Sequence, residues 1–152
     1  MTLPLRPLVR RLPGSGGLDV EISLSVPSAL EYDADAVDVI ARHCADAPLS
    51  ARVLRFNLRV ALAEALANAI LYGNREDASK NVRIRAELSR DGVRLLVSDE
   101  GPGFDPSSVP DPTDTPRIGR EAGRGLFVIR QLADEVTFNA EGNGVCLIFR
   151  SH

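Results

Sequence analysis

The stretch ALAEALANAILYGN, residues 61–74, decides how the rest of the chain is read. Alanine, leucine and isoleucine recur along it at helical spacing, as in the interior of a globular protein, yet it carries Glu64 and Asn68. A buried carboxylate is costly unless it is paired, hydrated or held near a cation. Four residues apart, Glu64 and Asn68 stand one turn above each other on one helix face, and Asn57, seven before Glu64, extends the line. Leu54, Leu58, Leu62, Ala65, Leu66, Ala69 and Ile70 fill the other faces. Two readings are open from this stretch alone: a solvent-facing stripe on an amphipathic helix, or a narrow polar seam kept for chemistry.

Working outward, the helix is expected over about residues 51–71, with Ser50 as its N-cap and Gly73 as its stop. Upstream, Val20, Ile22, Leu24 and Val26 alternate with the period of a half-buried strand that Pro27 ends. Ser28 and Glu31 match an S-x-x-E capping box opening a first helix, with Leu30, Val37, Ile40, Ala41 and Cys44 at helical spacing. Downstream, NVRIRAEL and VRLLVS flank Asp91-Gly92 as a hairpin, and EVTFNA and VCLIFR frame EGNG as a second. A third helix is expected over about residues 126–133. Pro4, Pro7, Pro13 and the GSGG run argue against regular structure in residues 1–17, a flexible arm ahead of one domain at 18–152. The element order fits an α/β (α+β) two-layer sandwich, a mixed, mostly antiparallel sheet with about three helices on one face.

Composition narrows the function classes. At 152 residues there is room for a single core, and no apolar run approaches the roughly 20 residues of a membrane span. The opening residues are basic and proline-broken, without the apolar centre of a secretory signal, so a cytoplasmic location and no membrane partner are expected. Cys44 and Cys146 lack CxxC spacing and are expected to be reduced, buried and structural. The net charge of -3 includes no long basic stripe, which argues against a nucleic-acid partner. His43 and His152 with the two cysteines build no metal cluster.

Two further stretches carry chemistry. In VSDEGPGF a strand ends at Asp99, whose carboxylate can accept a hydrogen bond from an exocyclic amine, while Gly101 and Gly103 let backbone approach a flat ligand; a plain turn has the same composition. A dinucleotide fingerprint fails there, because Pro106 occupies the third glycine position. In EAGRGLFVI, Gly123 and Gly125 flank Arg124 at a helix start, where free amides and the helix dipole favour phosphate, or where glycine simply opens a helix. Between them, residues 104–122 are rich in Pro, Asp and Ser and long enough to be a functional lid. Lys80 is the only lysine and GxxxxGK[ST] is absent, which excludes a P-loop. Positive charge would come from Arg120 and Arg124, unless these are solvated lid residues.

ExxxNAxxYG on a helix, DxGxGF after a strand and GRGL at the last helix, in that order, resemble the GHKL (Bergerat-fold) ATP-binding family over about residues 18–150. The short length, the PxxVPDPT lid and the DEV after the last helix are most similar to its anti-sigma-factor serine/threonine kinases. The resemblance implies that Asn68 coordinates Mg2+ bridging the ATP phosphates and that Glu64 is the base for the attacking hydroxyl. It implies Asp99 on the adenine amine, Gly101 and Gly103 lining the base pocket, and Gly123, Arg124 and Gly125 at the phosphates, with Arg120 beside them. It further implies a STAS-domain antagonist as phosphoacceptor, a sigma factor as the regulated partner, and a homodimer, for which an edge such as residues 20–26 would serve. A non-catalytic, ATP-gated binding module of the same fold is the alternative. One departure stands out: many relatives carry G-x-G-T before the last strand, where this chain has GNGV with Val145.

Overall fold

The computed structural model describes residues 3–11, 20–103 and 120–151. Its sheet contains β1 (Leu8–Arg11), β2 (Val20–Pro27), β3 (Asn81–Ser89), β4 (Gly92–Ser98), β5 (Glu135–Phe138) and β6 (Gly144–Arg150), in the spatial order β1-β2-β3-β4-β6-β5. Every neighbouring pair is antiparallel, the limit of the mostly antiparallel sheet expected. Three α-helices, α1 (Asp33–His43), α2 (Leu58–Asn68) and α3 (Arg120–Leu132), complete the α/β architecture.

The period-two pattern decides which sheet face is covered. Ile22, Leu24 and Val26 of β2, Ile84 and Ala86 of β3, Leu95 and Val97 of β4, and Leu147 and Phe149 of β6 are buried in one cluster with Ile40, Leu58, Leu62, Leu66 and Ile129 of the helices. Burying such a side chain stabilises the fold by roughly 1.5–3 kcal/mol, so each strand's face is fixed and a one-residue slip is excluded. The opposite face is open and polar. Ser23, Ser25, Arg83, Arg85, Ser98 and Cys146 line a shallow concavity there, across the sheet from the helices.

Several expectations are corrected. The arm is not devoid of regular structure: Leu8–Arg11 pairs with β2 from Leu8↔Ser23 to Arg11↔Val20, while residues 12–19 lie outside the described residues. Residues 20–26 are therefore flanked on both sides, by β1 and β3, and offer no free edge for a second copy; the sheet's edges are β1 and β5. The Ser28–Glu31 capping box does not form. A 3-10 turn, Leu30–Tyr32, precedes α1 without a side-chain cap, because Ser28 is buried and its hydroxyl donates to the Lys80 carbonyl at 2.7 Å. Leu30, expected on the apolar face, is exposed. Cys44 is buried, and desolvation pushes its thiol up to about 12, so it stays protonated and inert near neutrality. Cys146 instead stands half-buried on the open face, between Leu96 and Thr137 in register. The lid expected over 104–122 falls mostly outside the described residues.

Candidate functional site

The long helix forms as its pattern required, and its C-terminal half is what builds the site. Ser50 caps it, accepting a hydrogen bond from the Val53 amide at 3.2 Å. The helical path then runs through a π segment (Val53–Asn57), α2, and a second π segment (Ala69–Gly73). The wider π turn, with the Asn74 amide bonded to the Ala69 carbonyl at 2.8 Å, brings Gly73 against the end of β4. Gly73 is the helix stop expected, but a left-handed backbone is not its reason. A Cβ on it would lie 2.2 Å from Oδ2 of Asp99.

Two clusters result. In the first, Gly125 of α3 faces the polar seam of α2: a Cβ there would lie 3.0 Å from Oε2 of Glu64 and 3.1 Å from Nδ2 of Asn68. The absent side chain lets the backbone of α3 come close against a carboxylate and a carboxamide. In the second, Asp99 Oδ1 accepts the Gly101 amide at 2.8 Å, and Gly101 packs so closely that a Cβ would lie 2.0 Å from the Gly73 carbonyl oxygen. Burial raises the Asp99 carboxyl above its ordinary value, and the Gly101 amide and Lys80 oppose that rise. The β5–β6 turn braces this end. The Asp99 amide donates to the Asn143 carbonyl at 2.9 Å, and Gly103, with φ of 82°, presses its Cα against the Glu141 carbonyl. Gly103 thus meets that turn, in a conformation suited to glycine.

The structure separates some residues that the sequence grouped. Asn57 lies on the same α3-facing stripe as Glu64 and Asn68, but two turns away, where its Nδ2 donates to the Leu132 carbonyl at the C-terminal end of α3, 3.2 Å away. The helix expected to open at residue 126 begins at Arg120, since Arg120, Glu121 and Ala122 are good helix formers and the glycines do not interrupt them. The unpaired amides of a helix are those of its first turn, and Gly123, Arg124 and Gly125, the fourth to sixth residues of α3, lie past it. Arg124 is exposed, and the side chains of residues 120–123 are outside the described ones.

Sequence reasoning missed Asp33, in the first turn of α1. Asp38 pairs with Arg59 at 3.4 Å, and five residues along each antiparallel helix Asp33 approaches Glu64. Burial first and the Glu64 charge second push its carboxyl up to about 6. A raised acid favours the folded state below its unfolded value of 3.8 and loses that advantage as pH rises through about 6. Asp33→Asn is therefore expected to leave the melting temperature almost unchanged near pH 4 and to raise it relative to wild type above pH 6. Parallel thermal scans across that range check this, and a difference that does not grow with pH would contradict it.

Asn74 was missed as well, since an asparagine after a helix-ending glycine reads as an ordinary turn residue. Among the described residues no group of three or more His, Cys, Asp or Glu side chains could hold a metal, so a cation here would need a ligand's own oxygens beside Asn68. No helix among them is long and apolar enough to cross a membrane.

Residues 26–150, which include both clusters, match the family described as the histidine kinase-like ATPase domain, and the chain belongs to that family. Among curated relatives, a serine-protein kinase RsbW of Oceanobacillus iheyensis is 29% identical over 89 residues, 55% of this chain and 56% of that protein. Serine-protein kinase RsbW of Staphylococcus aureus is 31% identical over 90 residues, 55% of this chain and 57% of that one. The chain thus spans a little over half the length of the curated relatives it matches.

Proposed function

We propose that the protein is a cytoplasmic Mg-ATP-dependent serine/threonine protein kinase that phosphorylates a STAS-domain antagonist and so regulates a sigma factor by partner switching. The observation that carries this reading is the close approach at Gly125, where Glu64 and Asn68 project together from α2 onto a position of α3 that has no side chain. Asp99, packed against Gly73 where the same helix ends, supports the adenine half. Its carboxylate is oriented by the Gly101 amide and can accept the exocyclic amine of the base.

Phosphoryl transfer is mainly positioning and charge neutralisation. The serine or threonine oxygen forms a bond to the γ-phosphorus as the bond to ADP breaks, and Glu64 takes the hydroxyl proton. Mg2+, held by Asn68 and phosphate oxygens, would supply the charge neutralisation. First-turn amides of α3, with Arg120 and Arg124, would face the phosphates. RsbW proteins are named serine-protein kinases, which supports serine as the accepting residue.

Calorimetric titration tests the nucleotide half. Wild type should bind ATP in the presence of Mg2+ and bind it at least about tenfold more weakly with chelator, while Asn68→Ala with saturating Mg2+ should behave like chelated wild type. Equal affinity in all three would remove Asn68 from the metal. Incubation with labelled ATP and a candidate STAS protein tests the transfer half, the expected result being label on a serine or threonine of that protein.

A further inference from the structure

Asn74 is buried, 1% exposed, outside both clusters, and its side chain is fully engaged. Its Oδ1 accepts the Glu100 amide at 2.7 Å, and its Nδ2 donates to the Asn81 carbonyl at 3.1 Å and to the Ser28 hydroxyl at 2.9 Å. Glu100 completes a ring, its Oε2 accepting the Asn81 amide at 2.5 Å. Ser28 passes the connection on to the Lys80 carbonyl at 2.7 Å. The ring therefore joins the residue after Gly73, the start of β3 and the peptide between Asp99 and Gly101.

A solvent-exposed turn needs no such set of bonds, and a buried amide that serves packing alone is more cheaply replaced by an apolar side chain. What this ring fixes is the peptide that follows Asp99. The Glu100 amide is tied to Asn74, the next amide is tied to Asp99 itself, and Gly73 bounds the carboxylate on its other side. Orientation of the one carboxylate placed to recognise a base is thereby set from a residue that does not touch the base.

We infer that Asn74, closed through Glu100 and Asn81, is a positioning residue that sets the nucleobase selectivity of this site. The inference rests on the ATP reading above. Adenine presents an amine to a carboxylate acceptor, whereas guanine presents a carbonyl at the same ring position, so a well-held Asp99 favours ATP over GTP. Freed from the ring, Asp99 can turn, and the advantage of ATP is lost.

The test measures dissociation constants for ATP and for GTP, with melting temperatures, on wild type, Asn74→Ala and Glu100→Ala. Asn74→Ala is expected to lose about tenfold in ATP affinity, the size of one hydrogen bond that matters, with GTP affinity little changed, so that the preference collapses. A residue that only supports the fold would weaken both nucleotides alike. Glu100 is exposed, so Glu100→Ala removes one side of the ring without opening the core and should lower the preference by a smaller factor. An undiminished preference in both variants overturns the inference, as does an undiminished preference in Glu100→Ala where Asn74→Ala does not fold. A wild type with no preference for ATP overturns the reading beneath it, and the inference with it.

Discussion

Glu64→Gln is expected to reduce phosphoryl transfer by ~100-fold or more, the usual loss for a general base, while ATP affinity stays near that of wild type. Glutamine keeps the shape of the side chain, so the close packing against Gly125, where a Cβ would lie 3.0 Å from Oε2, is kept. What it cannot do is take a proton from an incoming hydroxyl. The same change removes a negative charge from beside Asp33, whose carboxyl should fall back from about 6 toward its ordinary value. Melting temperature near neutrality should consequently hold or rise slightly, which separates a catalytic defect from a folding defect. All three quantities can be read on one preparation with a phosphorylatable partner. Retained transfer would remove Glu64 from catalysis and promote the alternative, a module that binds ATP to set its shape for a partner.

The parts of this molecule written in local periodicity were legible. Alternation in β2, β3, β4 and β6 fixed the covered face, the Ser50 cap fixed where the long helix begins, and the spacing of Glu64 and Asn68 put them on one wall. The parts set by tertiary contact were not. Ser28 fits a capping-box pattern, but a buried partner at Asn74 outcompetes a cap that solvent could replace. Residues 8–11 lie among prolines and carry no buried side chain, yet backbone pairing to β2 is enough to order them. Glycine in GRGL suggested a helix start because glycine opposes helix interiors, and α3 runs through it with residue 125 packed closely on the Glu64 and Asn68 side chains of α2. Asp33 and Glu64 are 31 positions apart in sequence, and only the antiparallel packing of α1 on α2 makes them neighbours.

Gly101→Ala is expected to do far more damage than Gly125→Ala. At Gly125 the atoms a Cβ would meet are the ends of the Glu64 and Asn68 side chains, at 3.0 to 3.3 Å, and both can swing aside. At Gly101 the first obstacle is the Gly73 carbonyl oxygen at 2.0 Å, which is backbone and closes the end of the long helix. Relief requires the Asp99–Gly103 segment to lift off the helix end, and that movement carries the Asp99 carboxylate away from its place beside Gly73. Forced overpacking of this kind costs ~1–3 kcal/mol of stability, roughly 2–4 °C in melting temperature for each kcal/mol in a chain of this length. Loss of a hydrogen bond to a charged acceptor weakens ATP by about ten- to a hundredfold on top of that. Gly101→Ala should therefore both melt earlier and bind ATP poorly, whereas Gly125→Ala should keep its melting temperature and lose affinity by displacing the Asn68 and Glu64 side chains. Thermal scans and titrations of the two variants side by side decide the matter. A Gly101→Ala protein with wild-type affinity for ATP would mean that the base is read elsewhere than at Asp99.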